Sequence, residues 1–491
     1  MSRNRIFHAC LCALAFLAAL DLATAPAVAQ CEEVKLTYSN AVFVDLLGWT
    51  VDMDGRRFVA GTNPDGGNTQ PRIVLWERIG DEWQEQTALW PNDLGDADYR
   101  PYGFNVAISG DVIAGGGWTD YSVHRAGLVE VYRRQGAHWI RQQRIEPFPP
   151  ETTTAEFGMD VEVSGDFLFI GCPICTGAAN RGVSVYRFTG SSWSYLQLLT
   201  TGEPGTMGGR IAADGDWAAV NAYHSDTDVY AISMFQFDGN AWIERQIIPL
   251  PPGEANWFLS QAIDLRGDRM ILGSVNQQPG ELGHARIYRC ADELWVEEAS
   301  FTSPDPDFYY YGYSVGVDGD VAVVGSIREY LCGALHVYER VDEQWGLRET
   351  ITAPGPCADQ VWGYSVSLAW PYAVVGAPLD NQIAHASGAV HVLDFEGADC
   401  NKNGICDATD IANGTSIDLD GDGIPEECDC VGDLNGDRVV NLADLAQLLS
   451  HYHAAEPVTY YEGDLDFDGD VDLVDLAEML SHYGDTCPWP M

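Results

Sequence analysis

Two stretches near the C-terminus space oxygen-bearing side chains as a hard cation requires. Calcium takes 6–8 oxygen ligands, and a twelve-residue loop supplies them from positions 1, 3, 5, 9 and 12 together with the carbonyl of position 7. Asp433, Asn435, Asp437, Asn441 and Asp444 fall on that spacing, with Val439 offering the carbonyl. The pattern returns 31 residues later as Asp464, Asp466, Asp468, Asp472 and Asp475, with the carbonyl from Asp470. Each loop runs into an apolar-periodic stretch, LADLAQLLSHY from Leu442 and LVDLAEMLSHY from Leu473, which predicts an amphipathic helix after each set of ligands. Position 6 of such a loop turns sharply and favours glycine; Gly469 fills it in the second loop, but Arg438 stands there in the first. A non-glycine residue in a left-handed conformation costs roughly 1 to 2 kcal/mol, so the first loop is expected to bind calcium more weakly. Two further arrays alternate oxygen ligands in the same way, Asp399, Asn401 and Asn403, then Asp418, Asp420 and Asp422. No amphipathic stretch follows either one, which points to a linker stiffened by calcium.

Other motifs carry less chemistry. The chain has no nucleophile elbow, zinc-protease helix, phosphate loop or dinucleotide fingerprint, and no catalytic residue is assigned. His224 beside Asp226 is a base and a partner only if the fold brings them together. Cys172-Pro-Ile-Cys175 lacks a second Cys-x-x-Cys or a redox-type βαβ context and reads as structural. Arg266-Gly267-Asp268 spells an adhesion tripeptide, but it occupies the same repeat position as Ser109-Gly110-Asp111 and Asp318-Gly319-Asp320, so turn geometry accounts for it.

Residues 1–29 have the build of a secretory signal: Arg3 and Arg5, an apolar run from Cys10 to Leu20, and Ala27-Val28-Ala29 before a start near Gln30. Export makes disulfides the expected state of most of the eleven cysteines beyond it, and an odd count leaves one unpaired. A secreted, extracellular or bacterial cell-surface location follows. No later stretch reaches the roughly 18 to 20 apolar residues of a membrane helix. A formal charge of -47 opposes binding to nucleic acid or anionic lipid and favours divalent cations.

Between residues 30 and 397 the chain repeats itself about every fifty residues. Each copy holds an apolar alternation, a tight Gly-Asp turn and a short apolar strand, as in FNVAISGDVIAGG, MDVEVSGDFLFIG and YSVGVDGDVAVVG. The turn glycines are Gly55, Gly110, Gly165, Gly215, Gly267 and Gly319, with Trp370-Pro371 replacing the turn in the last copy. A second hairpin ends in a strand opened by Trp83, Trp139, Trp193, Trp242, Trp295 or Trp345. Four alternating strands per copy make a propeller blade, and seven copies make a seven-bladed β-propeller. The seventh copy stops at VHVLDFEG, one strand short, and Glu32 to Tyr38 is a free strand able to complete it. Closure of the ring in that way also removes exposed sheet edges.

Phe157-Gly158, the run Tyr311-Gly312-Tyr313-Ser314-Val315 and Val375-Gly376-Ala377-Pro378 make the repeat resemble the FG-GAP repeat of integrin α propellers. That resemblance implies a fold shared by adhesion proteins and enzymes alike. Some integrin-type blades carry an Asp-x-Asp-x-Asp-Gly calcium loop, and none occurs between residues 31 and 397. The two tandem loop-helix units, with aspartate at position 12, resemble a type I dockerin, and the two preceding arrays resemble thrombospondin type 3 calcium repeats. The expected organisation is a mainly β, seven-bladed propeller (30–397), a calcium-binding linker (398–430) and a small α, dockerin or EF-hand-like domain (431–491), with Cys430 and Cys487 able to clasp its ends. The dockerin resemblance implies a cohesin-like protein partner, read by the residues at positions 10 and 11 of each loop: Leu442, Ala443, Leu473 and Val474.

Three functions are compatible with this organisation. A secreted scaffold or adhesion protein would use the propeller to bind a carbohydrate or protein ligand, and is expected to show aromatics without strongly perturbed acids. A dockerin-borne glycoside hydrolase or polysaccharide lyase is expected to bring carboxylates together at one propeller mouth. An envelope component with a purely structural role is expected to show neither.

Overall fold

The computed structural model describes residues 32–41, 44–62, 71–80, 82–90, 102–117, 127–147, 156–173, 175, 181–200, 206–224, 229–251, 261–275, 283–304, 310–327, 333–341, 343–353, 361–381 and 383–395 of the propeller region. Beyond it the described residues are 411, 416, 432, 434, 439–453, 463–465 and 470–484. The calcium positions Asp399, Asn401, Asn403, Asp418, Asp420, Asp422, Asp433, Asn435, Asp437, Asp466 and Asp468 lie outside the described residues, as do Asp226, Arg438, Cys430 and Cys487.

Seven four-stranded antiparallel sheets form the propeller. Their first strands are Thr50–Asp54, Tyr102–Ser109, Val161–Ser164, Thr206–Asp214, Gln261–Arg266, Tyr310–Asp318 and Val366–Ala369, which mark blades 1 to 7 in chain order. Each of these strands packs against the first strand of the next blade, and the seventh packs against the first, so they encircle a central channel. Ring closure comes from both ends of the chain: Glu32–Leu36 pairs antiparallel with Ala389–Asp394 and becomes the outer strand of blade 7. The second strands, such as Val112–Gly117 and Phe167–Cys172, are buried along their length because each sheet is covered on both faces by neighbours. Outer strands such as Glu82–Leu89 alternate toward solvent.

One apolar cluster fills each of the seven junctions between blades, including the junction of blade 7 with blade 1 around Leu47, Phe58, Trp76 and Val390. Two polar devices repeat on top of that packing. Gln143, Gln197 and Gln246 each donate to and accept from the backbone of the tryptophan that opens the next blade's outer strand, Trp193, Trp242 and Trp295. Asp54, Asp214 and Asp318 each accept the backbone N–H at the next blade's turn, from Gly110, Gly267 and Trp370.

The Phe-Gly and Gly-Ala-Pro glycines acquire a physical reason in this packing. Gly116, at the end of blade 2's second strand, abuts Gly158 at the entry to blade 3, and a Cβ on Gly116 would strike the Gly158 carbonyl. Gly158 in turn has φ +84°, a conformation that glycine adopts without the cost an L side chain incurs. The same contact pairs Gly376 with Gly48 across the closure of the ring.

Cys172 and Cys175 are disulfide-bonded and fully buried, in keeping with a structural role, and Cys290 is the free cysteine among the described residues. The Trp370–Pro371 peptide is cis at the turn where the Gly-Asp pair is missing.

Two helices follow in the C-terminal region, α1 (Leu442–His451) and α2 (Leu473–Ser481). Leu434, Val440 and Leu448 pack with their counterparts 31 residues on, Leu465, Val471 and Met479, in one small core. The two units also exchange backbone bonds: His453 N–H donates to Val471 and Gly484 N–H to Val440. No helix among the described residues is long and apolar enough to cross a membrane.

Candidate functional site

The inner strands enter the channel just after the blade-entry glycines, and the first side chain past each glycine meets the mouth. Tyr313, Tyr364, Trp49 and Phe104 hold that place in blades 6, 7, 1 and 2, four consecutive blades. Their rings form a continuous arc, with centroids 5.0 Å apart for Tyr313 and Tyr364, 4.7 Å for Tyr364 and Trp49, and 5.9 Å for Trp49 and Phe104. All four are half-buried, and together with residues from the other blades they line a recess of about 360 Å³. Burial, reinforced by the neighbouring Tyr313 phenol, raises the Tyr364 hydroxyl above its ordinary range.

Charge occupies the rest of the recess. Asp52, Asp160, Glu162 and Asp264 line it together with Arg210. Three of these acids also join blades: Asp52 accepts the Ile108 N–H at 2.6 Å, Asp160 the Ile211 N–H at 2.6 Å and Asp264 the Val317 N–H at 2.8 Å. Among the described residues, Glu162 accepts only the N–H of its own neighbour Val163, at 3.2 Å. None of the four carboxylates forms an ion pair among the described residues.

Burial dominates their protonation. It pushes Asp160 up to about 7, with the Arg210 guanidinium and the Ile211 N–H pulling the other way. Asp52 is pushed up to about 6 by burial against the Ile108 N–H and Arg266. Asp264 is raised by burial, opposed by Arg266 and by the Val317 N–H. Glu162 is raised well above the ordinary carboxylate range, first by burial and then by the charges of Asp52, Asp160 and Asp264. This is the arrangement in which carboxyls hold protons near neutral pH.

Arg266 closes the channel on the turn side. Its guanidinium donates to the Met53 carbonyl of blade 1 at 3.2 Å and pairs with Asp318 of blade 6 at 3.5 Å. The Arg-Gly-Asp tripeptide therefore turns its arginine inward at the Gly267 turn, in agreement with the reading from turn geometry.

The expected calcium positions are described in part. Asp470, Asp472 and Asp475 bring carboxylate oxygens within 4.8 Å of one another, so the Asp470 side chain joins the cluster for which only its carbonyl was expected. Asp475 is fully buried at the start of α2, its two oxygens accepting from Leu465 N–H at 2.7 Å and Asp472 N–H at 2.7 Å. Asp444 repeats this at α1, accepting from Leu434 at 3.0 Å and Asn441 at 2.8 Å. Asn441 and Asp472 cap the two helices through the N–H groups of Ala443 and Val474. Asp464, the first position of the second loop, is buried, and Val439 in the first loop is exposed. Three converging oxygen donors on a loop drawn in by a buried acid fit a hard divalent cation. Leu442, Ala443, Leu473 and Val474 are all exposed, with Leu442 and Leu473 each 68% open to solvent.

Sequence reasoning missed the recess. Its signal lay at fixed repeat offsets: aromatics one residue after the entry glycine, and Asp52, Glu162 and Asp264 each three residues before the turn glycines Gly55, Gly165 and Gly267. Aromatics and perturbed acids share this one place, so the expectation of aromatics without strongly perturbed acids is not met as stated, and the recess carries features of both rival functions.

The sequence model of the FG-GAP repeat matches residues 345–393, the outer strand of blade 6 and most of blade 7. No curated protein matches the chain. Among solved structures, the phage phi92 endosialidase is similar at 12% identity and TM-score 0.39, covering 74% of this chain and 69% of its own. The periplasmic gluconolactonase PpgL of Pseudomonas aeruginosa is similar at 16% identity and TM-score 0.39, covering 62% and 84%. A putative 6-phosphogluconolactonase of Bacteroides uniformis is similar at 11% identity and TM-score 0.41, covering 62% and 85%. Likenesses at this level assign no activity to this chain.

Proposed function

We propose that this chain is an exported calcium-binding protein whose propeller binds carbohydrate at the channel mouth while its C-terminal helix pair docks on a cohesin-like protein. The observation that carries the reading is the recess itself, an arc of four aromatic rings facing hydrogen-bonding carboxylates. Flat apolar ring faces suit the C–H faces of sugars, and a few convergent polar groups set their orientation. Calcium would be held by Asp464, Asp466, Asp468, the Asp470 group, Asp472 and Asp475 in the second loop and by the corresponding residues from Asp433 to Asp444 in the first, with 399–403 and 418–422 stiffening the linker. Its chemistry there is structural, drawing each loop together. The exposed Leu442, Ala443, Leu473 and Val474 supply an apolar face for the docking partner.

Affinity electrophoresis of the intact chain against a panel of soluble polysaccharides tests the carbohydrate reading. Retardation by at least one glycan, lost in Trp49→Ala/Tyr364→Ala, is the expected result; equal mobility of wild type and variant in every gel would overturn it.

A polysaccharide-cleaving enzyme is the second reading, and one observation favours it: among the described residues, Glu162 is the acid of the recess that clasps no neighbouring blade. A raised carboxyl free of a latch is suited to donate a proton to a leaving oxygen. Release of reducing or unsaturated chain ends that disappears in Glu162→Gln would favour cleavage, whereas binding without release keeps the protein a receptor.

A further inference from the structure

Once its acids ionise, the recess holds more negative than positive charge: four carboxylates face the guanidiniums of Arg210 and Arg266. Asp52, Asp160, Glu162 and Asp264 stand close enough that each of the other three raises Glu162, yet none is ion-paired among the described residues. Arg210 directs a guanidinium nitrogen to the Gly209 carbonyl at 3.0 Å, and Arg266 is engaged by Met53 and Asp318. A ligand bearing positive charge would supply what the protein omits.

The geometry decides what kind of cation. A calcium-like ion needs six or more oxygens at 2.3–2.6 Å, which requires carboxylates drawn tightly together. No three acids of the recess bring oxygens within 4.8 Å of one another, whereas Asp470, Asp472 and Asp475 do. The recess instead spreads its carboxylates around about 360 Å³ and walls one side with Tyr313, Tyr364, Trp49 and Phe104. Aromatic faces attract organic ammonium groups through the ring quadrupole, and the volume admits a sugar-sized group where a bare ion would rattle.

We propose that the channel mouth selects an organic ammonium, and that the carbohydrate it takes is an amino sugar with a free amine. The second half of this statement rests on the carbohydrate reading above; the first half does not. A uronate, sulfated or sialylated chain is repelled by the same acids in their ionised form. An N-acetylated chain presents no cation and loses the attraction.

Calorimetry on the intact chain, with excess calcium to saturate the C-terminal loops, separates the two halves. Two pairs of probes are used: a β-1,4-linked glucosamine trimer against its N-acetylated counterpart near neutral pH, and choline against its uncharged isostere 3,3-dimethylbutanol. The charged member of each pair is expected to bind about tenfold or more tightly, and Trp49→Ala and Glu162→Gln are each expected to weaken it several-fold. Choline keeps its charge at every pH, so its affinity is expected to fall between about pH 8 and pH 5 as the acids take up protons. Equal binding of the two trimers would overturn the cation preference and leave the carbohydrate reading standing. Binding of choline with neither trimer would overturn the carbohydrate reading and leave the ammonium site. No binding by any probe would overturn both. Undiminished binding in Trp49→Ala/Glu162→Gln would place the cation on the acidic surface, and competition by calcium for the same site would make it a metal site; either result overturns the proposal.

Discussion

Asp470, Asp472 and Asp475 bring their carboxylate oxygens within 4.8 Å of one another, while Asp52, Asp160, Glu162 and Asp264 share a cavity without gathering. Both groups are acidic, and both include buried members. In the loop, the three acids lie within six residues of sequence and are held by a helix cap, so local backbone geometry assembles them. In the recess, the acids come from blades 1, 3 and 5, and only closure of a seven-membered ring makes them neighbours. Carboxylates drawn together by a short loop suit a small hard ion, and carboxylates held apart by a rigid ring suit something larger. The same side chain thus acquires its role from the stiffness and span of what holds it.

The largest test of this contrast is pH. An unfolded aspartate titrates near 4, whereas folding lifts Asp52 to about 6 and Asp160 to about 7. The folded state therefore binds more protons between those values, so this contribution to stability is fully present below about pH 4 and lost as the pH rises through about 7. Relative to wild type, Asp52→Asn/Asp160→Asn is expected to gain stability over that window, on the order of 7 kcal/mol, read by urea unfolding at each pH without ligand. A pH-independent difference would mean that the recess acids titrate normally and would remove the contrast.

Next in size is Asp475→Ala. It leaves the Leu465 and Asp472 N–H groups unsatisfied in a buried place and is expected to cost the helix pair about 3 kcal/mol, with loss of the second loop's calcium in titration calorimetry. If Asp160→Ala abolishes the same calcium binding, the two acid groups are not distinct.

Calcium itself should stabilise only one region. At a hundred times its dissociation constant, bound calcium is expected to raise the stability of the helix pair by about 2.7 kcal/mol while the propeller's own thermal transition stays in place. A calcium-dependent shift in the propeller transition would show that the recess also binds the ion.

The smallest expected effect is at position 6 of the first loop. If the first loop takes the turn its spacing implies, Arg438→Gly removes a cost of roughly 1 to 2 kcal/mol, so first-loop affinity should rise by roughly five- to thirtyfold in a calcium titration. An unchanged affinity would show that the loop does not adopt the turn its spacing implies.

Much of the fold was legible because its signals are local and periodic. Alternation along the strands, the Gly-Asp turns and the outer-strand tryptophans mark seven copies, and the missing strand of the last copy matched Glu32–Leu36 in blade 7. The helices α1 and α2 follow from apolar periodicity, and the structure adds that Asn441 and Asp472 cap them. The recess was not read from the sequence, although Asp52, Glu162 and Asp264 occupy equal offsets in their copies. Asp54, Asp214 and Asp318 sit only a little nearer the turn and serve as backbone latches instead, so type and offset alone do not separate the two roles.

The sequence by itself determined the number of blades, the way the ring closes, the spacing of the C-terminal oxygen-bearing side chains and the helices behind them. The blades and helices depend on residues a few positions apart, where backbone geometry transmits pattern directly into structure, and the closure was legible because the last copy lacks the strand that Glu32–Leu36 supplies. Only the tertiary structure decided that Tyr313, Tyr364, Trp49 and Phe104 form one arc, that four acids from three blades share its recess, and that Arg266 turns inward across the channel. Those relations join residues up to some three hundred positions apart, and they exist because seven similar sheets, each unable to bury both faces alone, close around a common axis.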